Sequence, residues 1–176
     1  MQAFSVGHSN LTAAELLALL DGNAIAELVD VRRFPVSKRH PQHARPALEA
    51  GLRRAGIGYT FLGAELGGRL EAQVPIERSE NRALREPAFR AYANALDSPA
   101  FAAGLVRLEA LALTRQTAVL CAERDWRNCH RRILSDALVV RGWRVLHLAP
   151  RGAREEHAVD PHARFANGRL TYPSLL

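Results

Sequence analysis

The sequence predicts a three-layer α/β domain, with a mostly parallel sheet of about five strands and helices on both faces. Short, continuous apolar runs recur along the chain, as in strands buried on both sides. Segments with apolar residues at helical spacing separate these runs. No internal repeat or low-complexity tract interrupts the alternation. At 176 residues the chain has the length of a single domain over 1–176, Rossmann-like or flavodoxin-like in kind.

"AFSV", ending at Gly7, is the first strand. Asn10 or Thr12 then caps a helix carrying Leu16, Leu17, Leu19 and Leu20, which Gly22 and Asn23 end. "IAELVDV" is the second strand, and "FPVSKRHPQH", with two prolines and no period, is a loop. Leu48, Leu52 and Ala55 mark a helix stopped by Gly56, and "IGYTFLG" is the third strand. Residues 69–87 are polar and arginine-rich, the expected place of a mobile flap. "FRAYANAL" opens a helical section, and Ser98 followed by Pro99 starts the helix "AFAAGLVRLEALAL". "TAVLCAE" is the fourth strand, "CHRRILSDALVVRG" a helix and "WRVLHLA" the fifth strand. In the tail, "RLTYP" is expected as a short edge strand.

Composition narrows the function classes. No run approaches the roughly 20 apolar residues of a membrane helix, so no membrane partner is expected. The opening "MQAFSVGHSN" lacks the basic and apolar regions of a secretory signal, and two cysteines are too few for a disulfide framework. A cytoplasmic location is the expectation. The aromatic share of 6% argues against a repeated base-stacking platform. The net charge of +6 is carried by arginine almost throughout, Lys38 being the one lysine. Residues 31–54 alone hold Arg32, Arg33, Lys38, Arg39, Arg45, Arg53 and Arg54 against Glu49. Such a patch attracts phosphate-bearing partners, and equally suits a solvated face.

The polar residues fall at the carboxyl ends of the strands: "GHSN", "DVRR", "ELGG", "CAE" and "HLAPRG". A parallel sheet gathers those ends along one rim, where ligands bind in open α/β folds. A shared cleft is therefore expected.

"GHSN", "DVRRFPVSKRHP", "LGG", "CAE" and "CHRR", in this order, resemble the bacterial and archaeal domain-of-unknown-function family 488. The resemblance runs from Val6 to about Leu148, with "CAE…CHR" its most specific part. It implies a compact α/β domain and no established activity. Family members often carry a proline between those two motifs, where this chain has "RDWRN".

Asn128 is a good helix cap, which would set Cys129 in the first turn of a helix. Backbone N–H groups there favour a thiolate, and Arg127, Arg131 and Arg132 add positive charge. Cys129 is thus a candidate nucleophile with His130 or His8 as acid–base partner, or else a small residue packed beneath a loop. Glu123 is a candidate general base. Ser9 and Asn10 beside His8 suit ligand hydrogen bonding or a helix cap. Asp30 and Arg32 point to one side of their strand, so an ion pair orienting Arg32 is expected. Gly67 and Gly68 permit close approach to a ligand. Cys121 and Arg127 have the spacing of a phosphatase loop, although "AERDW" lacks its glycines and carries two acids. No cofactor is implied; zinc on Cys121, Cys129, His130 and His8 is a minor alternative, since paired short spacings are missing. Trp126 and Trp143 are expected as loop anchor and core.

Two functions compete. The first is an enzyme for an anionic substrate, nucleotide-like or another phosphate ester, with a cysteine-dependent hydrolase or transferase as the expected kind. Arg32 and Arg131 would hold the anion, Cys129 would attack, and Glu123 and His8 would move protons. The second is a non-catalytic nucleotide- or nucleic-acid-binding module using the arginines of 31–54. Oligomeric state has no signature in the sequence.

Overall fold

The computed structural model describes residues 1–71 and 73–174 and shows the expected α/β domain. Five parallel strands form its centre: β1 (Gln2–Gly7), β2 (Glu27–Asp30), β3 (Gly58–Phe61), β4 (Thr117–Cys121) and β5 (Arg144–Leu148). A short strand β6 (Arg154–Glu156) adds antiparallel to β5, giving the order β3-β2-β4-β1-β5-β6. Alternate strand residues face opposite ways, and both faces are apolar. Phe4, Val6, Leu28, Ala118 and Leu120 pack on one side with Leu16, Leu19 and Leu20 of α1 (Ala13–Asp21) and Leu48 and Leu52 of α2 (Arg45–Arg54). Val29, Val31, Val119 and Val145 pack on the other. There they meet α3 (Gly63–Leu66), α4 (Pro87–Asn94), α5 (Pro99–Thr114) and α6 (Arg131–Val139).

Local chemistry fixes the helix starts. Thr12 caps α1 in a reciprocal box: its hydroxyl accepts from the Glu15 N–H, while the Glu15 carboxylate accepts from the Thr12 N–H. Ser98 caps α5, with Pro99 in the first turn. The helix after β4 begins later than expected. Residues Trp126–Asn128 form a 3-10 turn whose cap is Asp125, so the chain reaches Cys129 in an extended conformation (φ −131°, ψ 151°). The helix starts at Arg131, and Asn128 does not cap it.

Topology positions the site. The chain steps from β1 to β2 to β3 through α1 and α2 on one face, then returns through β4 and β5 with α3 to α6 on the other. Right-handed crossovers require this change of face when the direction reverses. The chain leaving β4 therefore departs to the opposite face from those leaving its neighbours β1 and β2. A crevice opens at the carboxyl end of β4, where Cys121 sits.

Two expectations need correction. The second half of the 69–87 segment is pinned: Asn81 donates to Asn94 Oδ1 (2.7 Å) and accepts from the Tyr172 N–H (2.9 Å), and Leu84 is buried. The "RLTYP" strand lies on no edge of the main sheet. It forms β8 (Arg169–Thr171), paired with β7 (Arg164–Ala166) through an Asn167–Gly168 turn in which both residues have positive φ. Beyond this hairpin, buried Tyr172 donates to Asp136 Oδ2 at 2.8 Å, and His157 Nε2 meets Asp136 Oδ1 at 2.7 Å. Tyr172→Phe should leave a buried carboxylate oxygen short of a donor and lower stability by about 1–3 kcal/mol in urea unfolding. An unchanged midpoint would show that the tail is not held there.

Candidate functional site

A pocket of about 740 Å³ opens at this crevice, and His8, Ser9, Asn10, Arg32, Gly68, Glu123, Cys129 and His130 all line it. Of the residues singled out in the sequence, Asp30, Gly67 and Arg131 stand behind its wall. Five separate strand exits thus contribute unequally. The exits of β1, β2, β3 and β4 supply the lining, and the "HLAPRG" exit of β5 does not.

Cys121, Cys129 and His130 form the centre. Both sulfurs and His130 Nδ1 lie within 4.8 Å of one another, with Nδ1 at 3.7 Å from Cys129 and 4.0 Å from Cys121. Cys129 is 4% exposed and Cys121 9%. The hydrogen bond from the Cys121 thiol outweighs burial and, with His130 and the charge of Arg131, holds the Cys129 thiol well below its ordinary range. Cys121 is pushed up, first by that same hydrogen bond and then by burial. Both directions favour ionisation at Cys129 before Cys121. The thiolate is not stabilised by helix amides, because Cys129 precedes the first turn of α6.

Arg131 enforces this arrangement. It is 1% exposed, donates from Nε to Cys129 Sγ (3.5 Å) and from Nη1 to Ser5 Oγ (3.0 Å), and uses Nη2 on the Glu123 and Arg124 carbonyls. Its donors serve the protein, which removes it from the expected role of clamping a ligand anion. Arg32 is turned inward in the same way. It is 5% exposed and forms the expected pair with Asp30, Nε–Oδ1 2.9 Å and Nη2–Oδ2 2.6 Å. Its Nη1 is taken by the His43 carbonyl (2.8 Å) and by His8 Nε2 (3.1 Å). The Tyr59 hydroxyl completes Asp30 at 2.8 Å.

His8 is consequently a wall residue. Its Nδ1 lies 3.0 Å from the Ser9 carbonyl, which fixes the proton there and leaves Nε2 to accept from Arg32. Its pKa is lowered to about 4, by burial first and then by His43, whose ring centroid is 4.1 Å away, and Arg32. With Nδ1 on the Ser9 carbonyl and Nε2 on Arg32, both ring nitrogens are occupied, which counts against the proton-moving role expected from the sequence. Ser9 takes φ 45°, an unusual value for a side-chain residue, and Asn10 accepts from Arg124 (2.7 Å). Glu123 is exposed at the pocket. A side chain at Gly68 would bring its Cβ to 2.5 Å from His130 Nδ1, and one at Gly67 would collide with the Gly63 carbonyl at 2.2 Å. The glycines let this loop close against the imidazole.

The phosphatase-loop spacing has no counterpart in space. Arg127 is exposed, pairs with Asp125 (3.3 Å) and Glu155, and lies over the Trp126 ring. The basic stretch 31–54 is also divided: besides Arg32, Arg45 and Arg53 lie beside Glu49. Exposed Arg33, Lys38 and Arg39 line the pocket, joined by Arg69, and none of the four has an ion pair among the described residues. Glu123 is the one acid among the described lining residues. Arg69, His40 and Phe34 were not singled out in the sequence as ligand contacts; the basic run 31–54 marked the region of Phe34 and His40, and the arginine-rich segment 69–87 that of Arg69, without ranking them. Trp126 anchors the loop as expected, stacked on His147 at 4.2 Å, and Trp143 is core.

The trio offers two sulfurs and a nitrogen, a donor set that zinc-class ions accept. A metal-bound imidazole ordinarily donates its second N–H, yet His130 Nε2 is buried without a partner. A proton on Nδ1 directed at the Cys129 thiolate suits these surroundings better, since it leaves Nε2 needing no acceptor.

His8 also sets a pH dependence. Unfolded, it takes a proton near pH 6.5; folded, it resists protonation down to about pH 4. Its stabilisation is full above about pH 6.5 and declines as the pH falls towards 4. His43 and His147, both lowered chiefly by burial, act in the same direction. The urea midpoint should therefore drop between about pH 6.5 and 5, above the carboxylate range, and drop less in His8→Asn. A flat wild-type profile over that interval would contradict the burial of neutral His8.

No helix of the described residues is long and apolar enough to cross a membrane. None of the curated proteins and none of the solved structures compared with the chain is detectably similar. The family model described as "Domain of unknown function DUF488" matches residues 12–138, a span from the cap of α1 through most of α6 that includes the Cys121–Cys129–His130 centre. On that match the chain belongs to the DUF488 family.

Proposed function

We propose that this pocket is the active site of a cysteine-dependent enzyme acting on an anionic substrate, with Cys129 as nucleophile. The observation that carries the proposal is the placement of a buried Cys121–Cys129 pair, with His130 Nδ1 beside both sulfurs, in a pocket whose exposed charged lining is cationic save for Glu123. Arg33, Lys38, Arg39 and Arg69 would draw in the anion, and the exposed ring of Phe34 suits a nucleotide-like or other flat group beside it. His130 would hold the thiolate, Glu123 would exchange protons with solvent and substrate, and Arg32 and Arg131 are positioning residues.

Alkylation tests the reading without a known substrate. Iodoacetate should modify Cys129 selectively, and its preference over neutral iodoacetamide should exceed that of free cysteine by ~10-fold at low salt, shrinking as salt is added. Inorganic pyrophosphate should protect, and Cys129→Ser should lose the reaction. Equal preference with free cysteine, or reaction chiefly at Cys121, would remove the assignment. Lys38→Glu with Arg39→Glu should abolish the iodoacetate preference while leaving iodoacetamide reactivity within about twofold, because surface charge governs encounter and not the thiol itself.

A further inference from the structure

A single-nucleophile mechanism leaves Cys121 idle, although it is the group closest in kind and place to the reacting sulfur. Cys121 is fixed at the end of β4, whereas Cys129 lies in an extended segment between a 3-10 turn and α6. The two are the only cysteines of the chain, they line the same pocket, and His130 Nδ1 reaches both. Charge placement is the second observation. The buried guanidiniums nearest the sulfurs are spent on protein acceptors, while the exposed cations of the pocket lining, Arg33, Lys38, Arg39 and Arg69, have no ion pair among the described residues. A phosphoryl or acyl centre gathers negative charge at the reacting atom and calls for donors there. Here the site instead suits a substrate whose charges are remote from the bond that breaks.

We propose that Cys129 and Cys121 act as attacking and resolving thiols that reduce a small disulfide flanked by carboxylate or phosphate groups. The proposal rests on the reading of the pocket as an anionic-substrate site and names its substrate class. The Cys129 thiolate attacks one sulfur of the substrate, forming a mixed disulfide and releasing the other half as a thiolate. Cys121 passes its proton to that leaving thiolate. The Cys121 sulfur then attacks Cys129 Sγ, forms the Cys121–Cys129 disulfide and expels the second half as a thiolate. Two electrons pass from the protein dithiol to the substrate, giving two substrate thiol groups, one of them protonated by Cys121. Closure to an S–S bond of about 2.05 Å needs a local shift at Cys129, and that shift must loosen the Arg131 contact to its sulfur and strain the hydrogen bonds of its N–H to the Trp126 carbonyl (3.2 Å) and of its carbonyl to the Arg132 N–H (3.0 Å).

The test uses the reduced full chain with glutathione disulfide, coenzyme A disulfide and the dication cystamine, followed by mass spectrometry and thiol release. Wild type should end as the internal disulfide with two thiol equivalents released. Cys121→Ser should stop at a mixed disulfide on Cys129 with one equivalent, and Cys129→Ser, or Cys129→Ala should serine disturb the buried site, should lose the reaction. The anionic disulfides should react ~10-fold faster than cystamine at low salt, relative to their rates with free cysteine. A stable mixed disulfide on wild type, no reaction with any disulfide, or no advantage for the anionic probes would overturn the proposal. Where iodoacetate still modifies Cys129 selectively, such a result discards the resolving role alone; where Cys129 is inert to both reagents, the active-site reading falls with it.

Discussion

A guanidinium is buried only where acceptors surround it, and the burial of Arg131 organises the whole site. Its acceptors come from β1 (Ser5), from the carbonyls of the loop leaving β4, and from the sulfur of Cys129. Each is held at a fixed distance from the same planar fork, so the β4 exit loop, the first strand and the segment before α6 have one mutual arrangement. That arrangement brings the Cys129 sulfur to Cys121 and His130. The cation also supplies part of the field that favours a thiolate in a place where burial opposes one.

A second buried arginine repeats the principle on the neighbouring wall. Arg32 is neutralised by Asp30, and its remaining donors fix the His43 carbonyl and the tautomer of His8. Positive charge in this protein therefore does two jobs set apart by burial. Inside, arginines are scaffold; outside, Arg33, Lys38, Arg39 and Arg69 face solvent without ion pairs among the described residues. The separation leaves the sulfurs free of competing ligand-binding donors while an anion can be attracted from solution.

Much of the fold was legible because each strand and helix is locally consistent, from the Thr12 box to the Ser98–Pro99 start. The convergence of His8, Arg32, Gly68, Glu123 and Cys129 followed from parallel topology alone. What failed was the use to which side chains are put. A sequence shows that Arg131 is cationic but not that three carbonyl and hydroxyl oxygens and a sulfur take four of its five N–H donors. It shows a cap-like Asn128 but not the Asp125-capped turn that displaces the helix start. The Asn167–Gly168 pair was a readable hairpin signal that the short, exposed flanking strands obscured. The sequence raised Cys121 through the phosphatase-loop spacing and the minor zinc alternative; the coordinates place its sulfur in one cluster with Cys129 and His130.

The central claim is that Cys129 ionises before Cys121, favoured by the neighbouring Cys121 thiol, by His130 and by the charge of Arg131. Ultraviolet thiolate absorbance of the reduced protein, followed against pH in wild type and in Arg131→Met, measures this most directly. The account predicts one thiolate already formed well below the free-cysteine value of about 8.5 and a second only in strong alkali, with the first moving up in Arg131→Met. Two thiols ionising together near the free-cysteine value, unchanged by loss of the guanidinium, would contradict it.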